Sequence, residues 1–148
     1  MFQEFYPMRL QDNCDVDHLL SPESINQLVN LRSSAVEVMT DFSAVSPVTE
    51  LESVAVDEAL ERMKSQHVRM LFVTNAAGKF SGVITAQDIM GNKVMVYMSS
   101  HSVAREEVNV SHIMLDKLHL RSLTFDQVQH SRIGDIMLTL KSSGDQHL

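Results

Sequence analysis

The sequence predicts an α+β fold, built from a strand-helix-strand-strand-helix unit that occurs once in full and once in part. Three observations predict it. Val56, Ala59, Leu60 and Met63 recur at i, i+3, i+4 and i+7, the spacing of one buried helix face. Residues 68–74 and 80–85 are apolar and rich in strand formers, and Asn75-Ala76-Ala77-Gly78-Lys79 between them has turn composition, so the three read as a hairpin. The second half then echoes the first. Val38-Met39-Thr40-Asp41 matches Ile113-Met114-Leu115-Asp116 at an offset of 75, and Val56, Ala59, Leu60 and Met63-Lys64-Ser65 match Ile133, Ile136, Met137 and Leu140-Lys141-Ser142 at an offset of 77.

Taken in order, Ser21-Pro22-Glu23 has the form of an N-cap, a proline at the first helical position and a first-turn acid, opening a short helix with Ile25, Leu28 and Val29 on one face and ending near Arg32. Residues 42–49, with Pro47, read as extended or turning. In the amphipathic helix that follows, Asp57 and Glu58 lie at the positive end of the helix dipole and Lys64 toward the negative end. After the hairpin, Thr85 precedes a helical segment with Ala86, Ile89 and Met90 as its apolar stripe, which Gly91-Asn92 weakens or ends. Residues 99–109 read as a linker, Arg105-Glu106-Glu107 being a solvated charge run. The expected domains are therefore a leader and short helix over 1–34, a first repeat over 35–98, the linker, and a partial second repeat over 110–148. At the offset of 77, Leu148 matches Leu71, and nothing corresponds to 72–93.

Composition narrows the function. Twelve Lys and Arg against 19 Asp and Glu give a net charge of −7, which disfavours binding to a nucleic-acid backbone. No stretch approaches the roughly 20 apolar residues a bilayer requires, the longest being Val94-Met95-Val96-Tyr97-Met98, and the start has no basic cluster with an apolar core behind it. A cytoplasmic protein without a membrane partner is expected. Cys14 is the single cysteine; its neighbours Asp12, Asp15 and Asp17 would raise its pKa, which argues against a nucleophile. The seven histidines are scattered without metal-ligand spacing. Gly78-Lys79 lacks the glycine five positions earlier and the following Ser or Thr of a phosphate loop, Val73 and Phe80 standing there instead. No glycine-flanked serine elbow supports Ser-His-Asp catalysis. The reading is therefore of a non-enzyme. Met63, Met90 and Met137 fall on the apolar stripes and are read as core fillers, with Met39 and Met114 anchoring the two lead-ins.

The unit, with its Val-Met-Thr lead-in and its closing Gly82-Val83-Ile84-Thr85-Ala86-Gln87-Asp88, resembles the cystathionine-β-synthase (CBS) domain over about 35–93, and in part over 110–148. The resemblance implies two repeats packed through their sheets as a pseudo-twofold pair. It also implies regulatory binding of an adenosine compound, AMP, ADP, ATP, S-adenosylmethionine or NAD. The family's Thr/Ser-x-x-Asp element maps onto Thr85 and Asp88, implying ribose contacts for Asp88 and a phosphate contact for Thr85. A carboxylate suits a diol because charge-assisted hydrogen bonds are strong, and a helix N-terminus suits a phosphate. Gly82 would allow close approach, and Val48 and Met70 would flank the base. The same Thr85 and Asp88 equally fit a helix capping box with no ligand, and Val48 and Met70 equally fit plain core. Phe72 stands where the family carries a proline, and no second Thr/Ser-x-x-Asp element stands at the place equivalent to Thr85 and Asp88, so at most one such site per chain is implied. The apolar faces of Ile133, Ile136, Met137 and Leu140 are short of cover, which predicts a homodimer. The alternative to a sensor is an assembly module of the same fold with no ligand.

Overall fold

The computed structural model describes residues 28–145; residues 21–27 of the expected helix and the stretch around Leu148 lie outside them, and the expected end of that helix, 28–32, is not helical but coil and turn, with Leu28 and Leu31 exposed. Residues 31–145 belong to one unit. Strand β1 (Thr49–Leu51) leads through a tight turn into helix α1 (Val56–Ser65), then β2 (Met70–Thr74), β3 (Phe80–Thr85) and α2 (Ala86–Met90). Helix α3 (Asn92–His101), α4 (Val110–Ile113), β4 (Leu115–Asp116), α5 (Phe125–Gln129) and α6 (Ile133–Ser143) follow. The sheet runs β1-β2-β3-β4, with β1 and β2 parallel and the other pairs antiparallel.

The hairpin and α1 form as the sequence predicts. At the turn, the Asn75 side-chain oxygen accepts from the N–H groups of Ala77 and Lys79, each at 3.0 Å, and Gly78 takes φ +73°, a conformation that favours glycine. Along β2, Leu71 and Val73 are buried, and they meet Val56, Ala59 and Met63 of α1 with Ile84 of β3 and Ile89 of α2 in one core. Met70 and Phe72 alternate to the opposite face, as the two-residue period of a strand requires.

Three further expectations need correction. Gly91 ends α2, but α3 starts at the next residue. Gly91 is extended (φ −84°, ψ −163°), so the chain changes direction and resumes a helix that buries Val94 and half-buries Tyr97 and Met98 at i, i+3 and i+4. Residues 99–101 are thus the last turn of α3, not linker. The charge run is not merely solvated: Arg105 makes a fork to Asp57, with Nε 3.0 Å from both carboxylate oxygens and Nη2 2.7 Å from one, and Val108 just beyond it is fully buried. Met63 is core, whereas Met90 and Met137 are 69% and 55% exposed. A helix stripe continues into a core only where a neighbour covers it, and theirs is uncovered.

The internal repeat is reproduced at the two lead-ins. Each lead-in crosses to the opposite half: Val108 O accepts from Val56 N at 3.0 Å and Val110 N donates to Val54 O at 2.8 Å, while Ser33 O accepts from Ile133 N at 3.0 Å and Ala35 N donates to Ser131 O at 3.0 Å. The bridges Ala55↔Asn109 and Ser34↔Arg132 complete the two sets. Both lead-ins open with a helical turn, a 3-10 turn over Ala35–Val38 and α4 in the second half. Both then fold back on an aspartate whose Oδ1 accepts from the N–H two residues on, Ser43 at 2.8 Å from Asp41 and Leu118 at 2.7 Å from Asp116. The Ser43 hydroxyl and N–H hold the Asp41 carboxyl below its ordinary pKa.

Candidate functional site

Thr85 and Asp88 meet where β3 passes into α2. Thr85 is nearly buried, and its N–H and hydroxyl both donate to Asp88 Oδ2, at 2.9 and 2.8 Å. Its hydroxyl oxygen accepts in return from Asp88 N at 3.1 Å. This is a complete capping box. It occupies Oδ2 and leaves the Thr85 hydroxyl without a proton for a phosphate. The other carboxylate oxygen, Oδ1, takes an ion pair from Lys93 Nζ at 2.6 Å; the lysine side chain is 55% exposed, the aspartate only 12%. Lys93 was not among the residues that sequence reasoning singled out. It lies five positions after Asp88, off the same-face spacing of a continuous helix, and the break at Gly91 is what returns it to the carboxylate.

The remaining residues divide. Met70 on β2 is the register partner of Thr85 across the hairpin, and Val48, the residue before β1, bonds to β2 through its O, which accepts from Phe72 N at 3.0 Å. Val48 also packs against the core. Gly82 has a structural cause. It pairs with Asp116, and a Cβ there would collide with the Leu115 carbonyl oxygen, so glycine is what lets β4 close on β3.

Met70 turns from the cap into a groove of about 620 Å³ whose walls are mainly apolar. Phe72 and Val83 continue the sheet wall, Phe42 standing edge-on to Phe72 at 5.0 Å, and Ile136 and Leu140 of α6 face them. A second aromatic feature joins α3 to α4: the Tyr97 ring lies between His101 and His112, at centroid distances of 4.0 and 4.5 Å. Among the described residues no His, Cys, Asp and Glu cluster could hold a metal ion, and no helix is long and apolar enough to cross a membrane.

The strand-helix-hairpin-helix unit with its Thr85-Asp88 box coincides with the stretch, residues 35–94, that matches the family model described as CBS domain. Residues 35–94 are a CBS domain. No curated protein matches the chain. Among solved structures, an uncharacterized conserved protein from Pyrococcus horikoshii aligns at 18% identity over 80% of this chain and 77% of its own, with a TM-score of 0.56. A putative signal-transduction protein with CBS domains from Burkholderia ambifaria aligns at 19% identity over 77% and 74%, with a TM-score of 0.51. CBSX2 from Arabidopsis thaliana, solved in complex with AMP, aligns at 17% identity over 76% of each chain, with a TM-score of 0.49. These likenesses concern the fold. The matched stretch holds β1, β2 and β3 with α1 and α2, and β4, beyond it, joins the same sheet.

Proposed function

We propose that this CBS domain is a non-enzymatic regulatory module that takes an adenosine compound, one of AMP, ADP, ATP, S-adenosylmethionine or NAD, and passes occupancy on through a homodimer surface in the cytoplasm. The observation that carries the reading is the state of the Asp88 carboxylate. Thr85 locks it through Oδ2, so its direction is set before any ligand arrives, while Oδ1 is held only by a half-exposed lysine. A ribose diol donates to such an oxygen, and the Lys93 ammonium it displaces is a ready partner for an anionic group of the same ligand. Met70 on β2 and Val48 just before β1 supply apolar surface for a base. Exposed Met95 and Val96 on α3, 66% and 63% accessible, supply apolar surface for a second copy.

One observation favours a second reading, an assembly module without ligand: both Asp88 oxygens already have protein partners. Thermal unfolding against the five compounds separates the two. Under the sensor reading one compound at about 100 times its dissociation constant adds roughly 2.7 kcal/mol, and Asp88→Ala abolishes that increment on top of its own lower baseline. No increment from any compound, with the Asp88→Ala baseline still lowered, establishes the assembly reading. Light scattering on the eluting peak reports the homodimer, and a monomer at high concentration overturns it.

A further inference from the structure

Lys93 is placed by an interruption in the helix and held by one partner. Gly91 ends α2 with its N–H on the Gln87 carbonyl oxygen at 2.9 Å, and a Cβ at Gly91 would stand 2.7 Å from that oxygen, so glycine is what lets the chain turn there and α3 restart at Asn92. The restart puts Lys93 in the first turn of α3, where a cation opposes the helix dipole. That turn contains no acidic residue, and its N-cap supplies no side-chain hydrogen bond. Among the described residues Asp88 is the one carboxylate in ion-pair reach of Lys93, with Nζ 2.6 Å from Oδ1. The carboxylate is mostly buried and its other oxygen is fixed by Thr85, so a ligand that enters must use Oδ1 as well. A carboxylate oxygen has two lone-pair sites, and a diol with both hydroxyls on Oδ1 leaves none for the ammonium.

We propose that Lys93 is the specificity-determining residue of this site and restricts it to adenosine compounds that carry a phosphate. The inference rests on the adenosine reading above and narrows it. A ribose that takes Oδ1 separates Lys93 from its one counter-charge, at the end of a helix that disfavours a cation. A compound with a 5′-phosphate returns a counter-charge, because the 5′ group lies a few atoms from the diol, within the sweep of a half-exposed lysine on its flexible four-carbon stem. Adenosine returns nothing. S-adenosylmethionine carries a sulfonium cation at that same 5′ position and so sets a second positive charge within a Debye length of the first. Of the five compounds, AMP, ADP, ATP and NAD therefore fit the site, and S-adenosylmethionine is selected against.

The test is calorimetric titration of AMP, adenosine and S-adenosylmethionine, at low salt, into the full chain and its Lys93→Met and Lys93→Arg variants. Neither substitution touches the Thr85–Asp88 box. Expected in the parent is a dissociation constant for AMP about fivefold or more below that for adenosine, the range for one charged contact at a half-exposed site, with S-adenosylmethionine the weakest of the three. Lys93→Met brings AMP and adenosine to within about twofold of each other and tightens S-adenosylmethionine, whereas Lys93→Arg keeps the parent's order. A general loosening of the site would weaken all three compounds alike and leave their ratios unchanged. Equal constants for AMP and adenosine in the parent, a gap that survives Lys93→Met, or S-adenosylmethionine bound more tightly than AMP each overturn the selection while the adenosine reading stands. Binding of none of the three by any of the chains overturns the adenosine reading itself, and the selection with it.

Discussion

Met63 and Leu140 occupy equivalent places on α1 and α6, and truncating each to alanine measures how differently the two helix faces are covered. Met63 is 1% exposed and sits inside the sealed core, so Met63→Ala removes buried atoms and leaves a cavity, at a cost of about 2–5 kcal/mol. Leu140 lines an open groove of about 620 Å³. No closed cavity forms on its truncation, and only the transfer of its covered part is lost. Full burial of a leucine is worth about 1.5–3 kcal/mol, so half burial sets the expected cost near 1 kcal/mol. Urea unfolding of the parent and both variants, analysed at constant slope, should therefore separate them by about 2 kcal/mol. Equal costs would refute the reasoning, because they would mean that the α6 stripe is as thoroughly covered in solution as the α1 stripe.

Gly82→Ala should cost about 1–3 kcal/mol, because the new methyl group meets the Leu115 carbonyl and forces β4 off β3; hydrogen exchange at Lys117 should rise with it, and full protection there would contradict the assignment. Asp41, whose carboxyl titrates below its ordinary 3.8 in the folded chain, contributes stability above that value that is lost as pH falls through the folded pKa. The gap in unfolding midpoint between parent and Asp41→Asn should accordingly be present at neutral pH and close in acid, a pH-independent gap being the contrary result. Arg105→Ala should cost at most about 1 kcal/mol despite the fork to Asp57, since both side chains are substantially exposed, and the difference should shrink in high salt; a larger, salt-insensitive loss would show that the pair matters for packing.

Where a segment's structure follows from its own residues, the sequence was readable. The period of Val56, Ala59 and Met63 placed α1, the turn residues Asn75 and Gly78 placed the hairpin, and the offset of 75 located equivalent turns at Asp41 and Asp116. Covering neighbours are not written locally. Met90 and Met137 continue their stripes as faithfully as Met63 does, and they are exposed because no element among the described residues faces them. The same holds at the cap: Thr85-x-x-Asp88 announced a capping box, but Lys93 reaches Asp88 only because Gly91 breaks the helix between them. Residues 126–128 align with β1 and yet form α5, because a strand needs a neighbour to pair with and a short helix satisfies its own backbone.

The crossed lead-ins impose an order on biosynthesis. Ser33 and Ala35 bond to Ile133 and Ser131, partners that emerge from the ribosome about 100 residues later. At roughly 5–20 residues per second, the nascent lead-in waits about 5–20 s for its partner, while the hairpin, whose contacts are local, can close meanwhile. During that interval the hairpin face bearing Phe72 and Val83 is open to whatever else is at hand, so the interval before Ile133 appears is when a chaperone has most to protect.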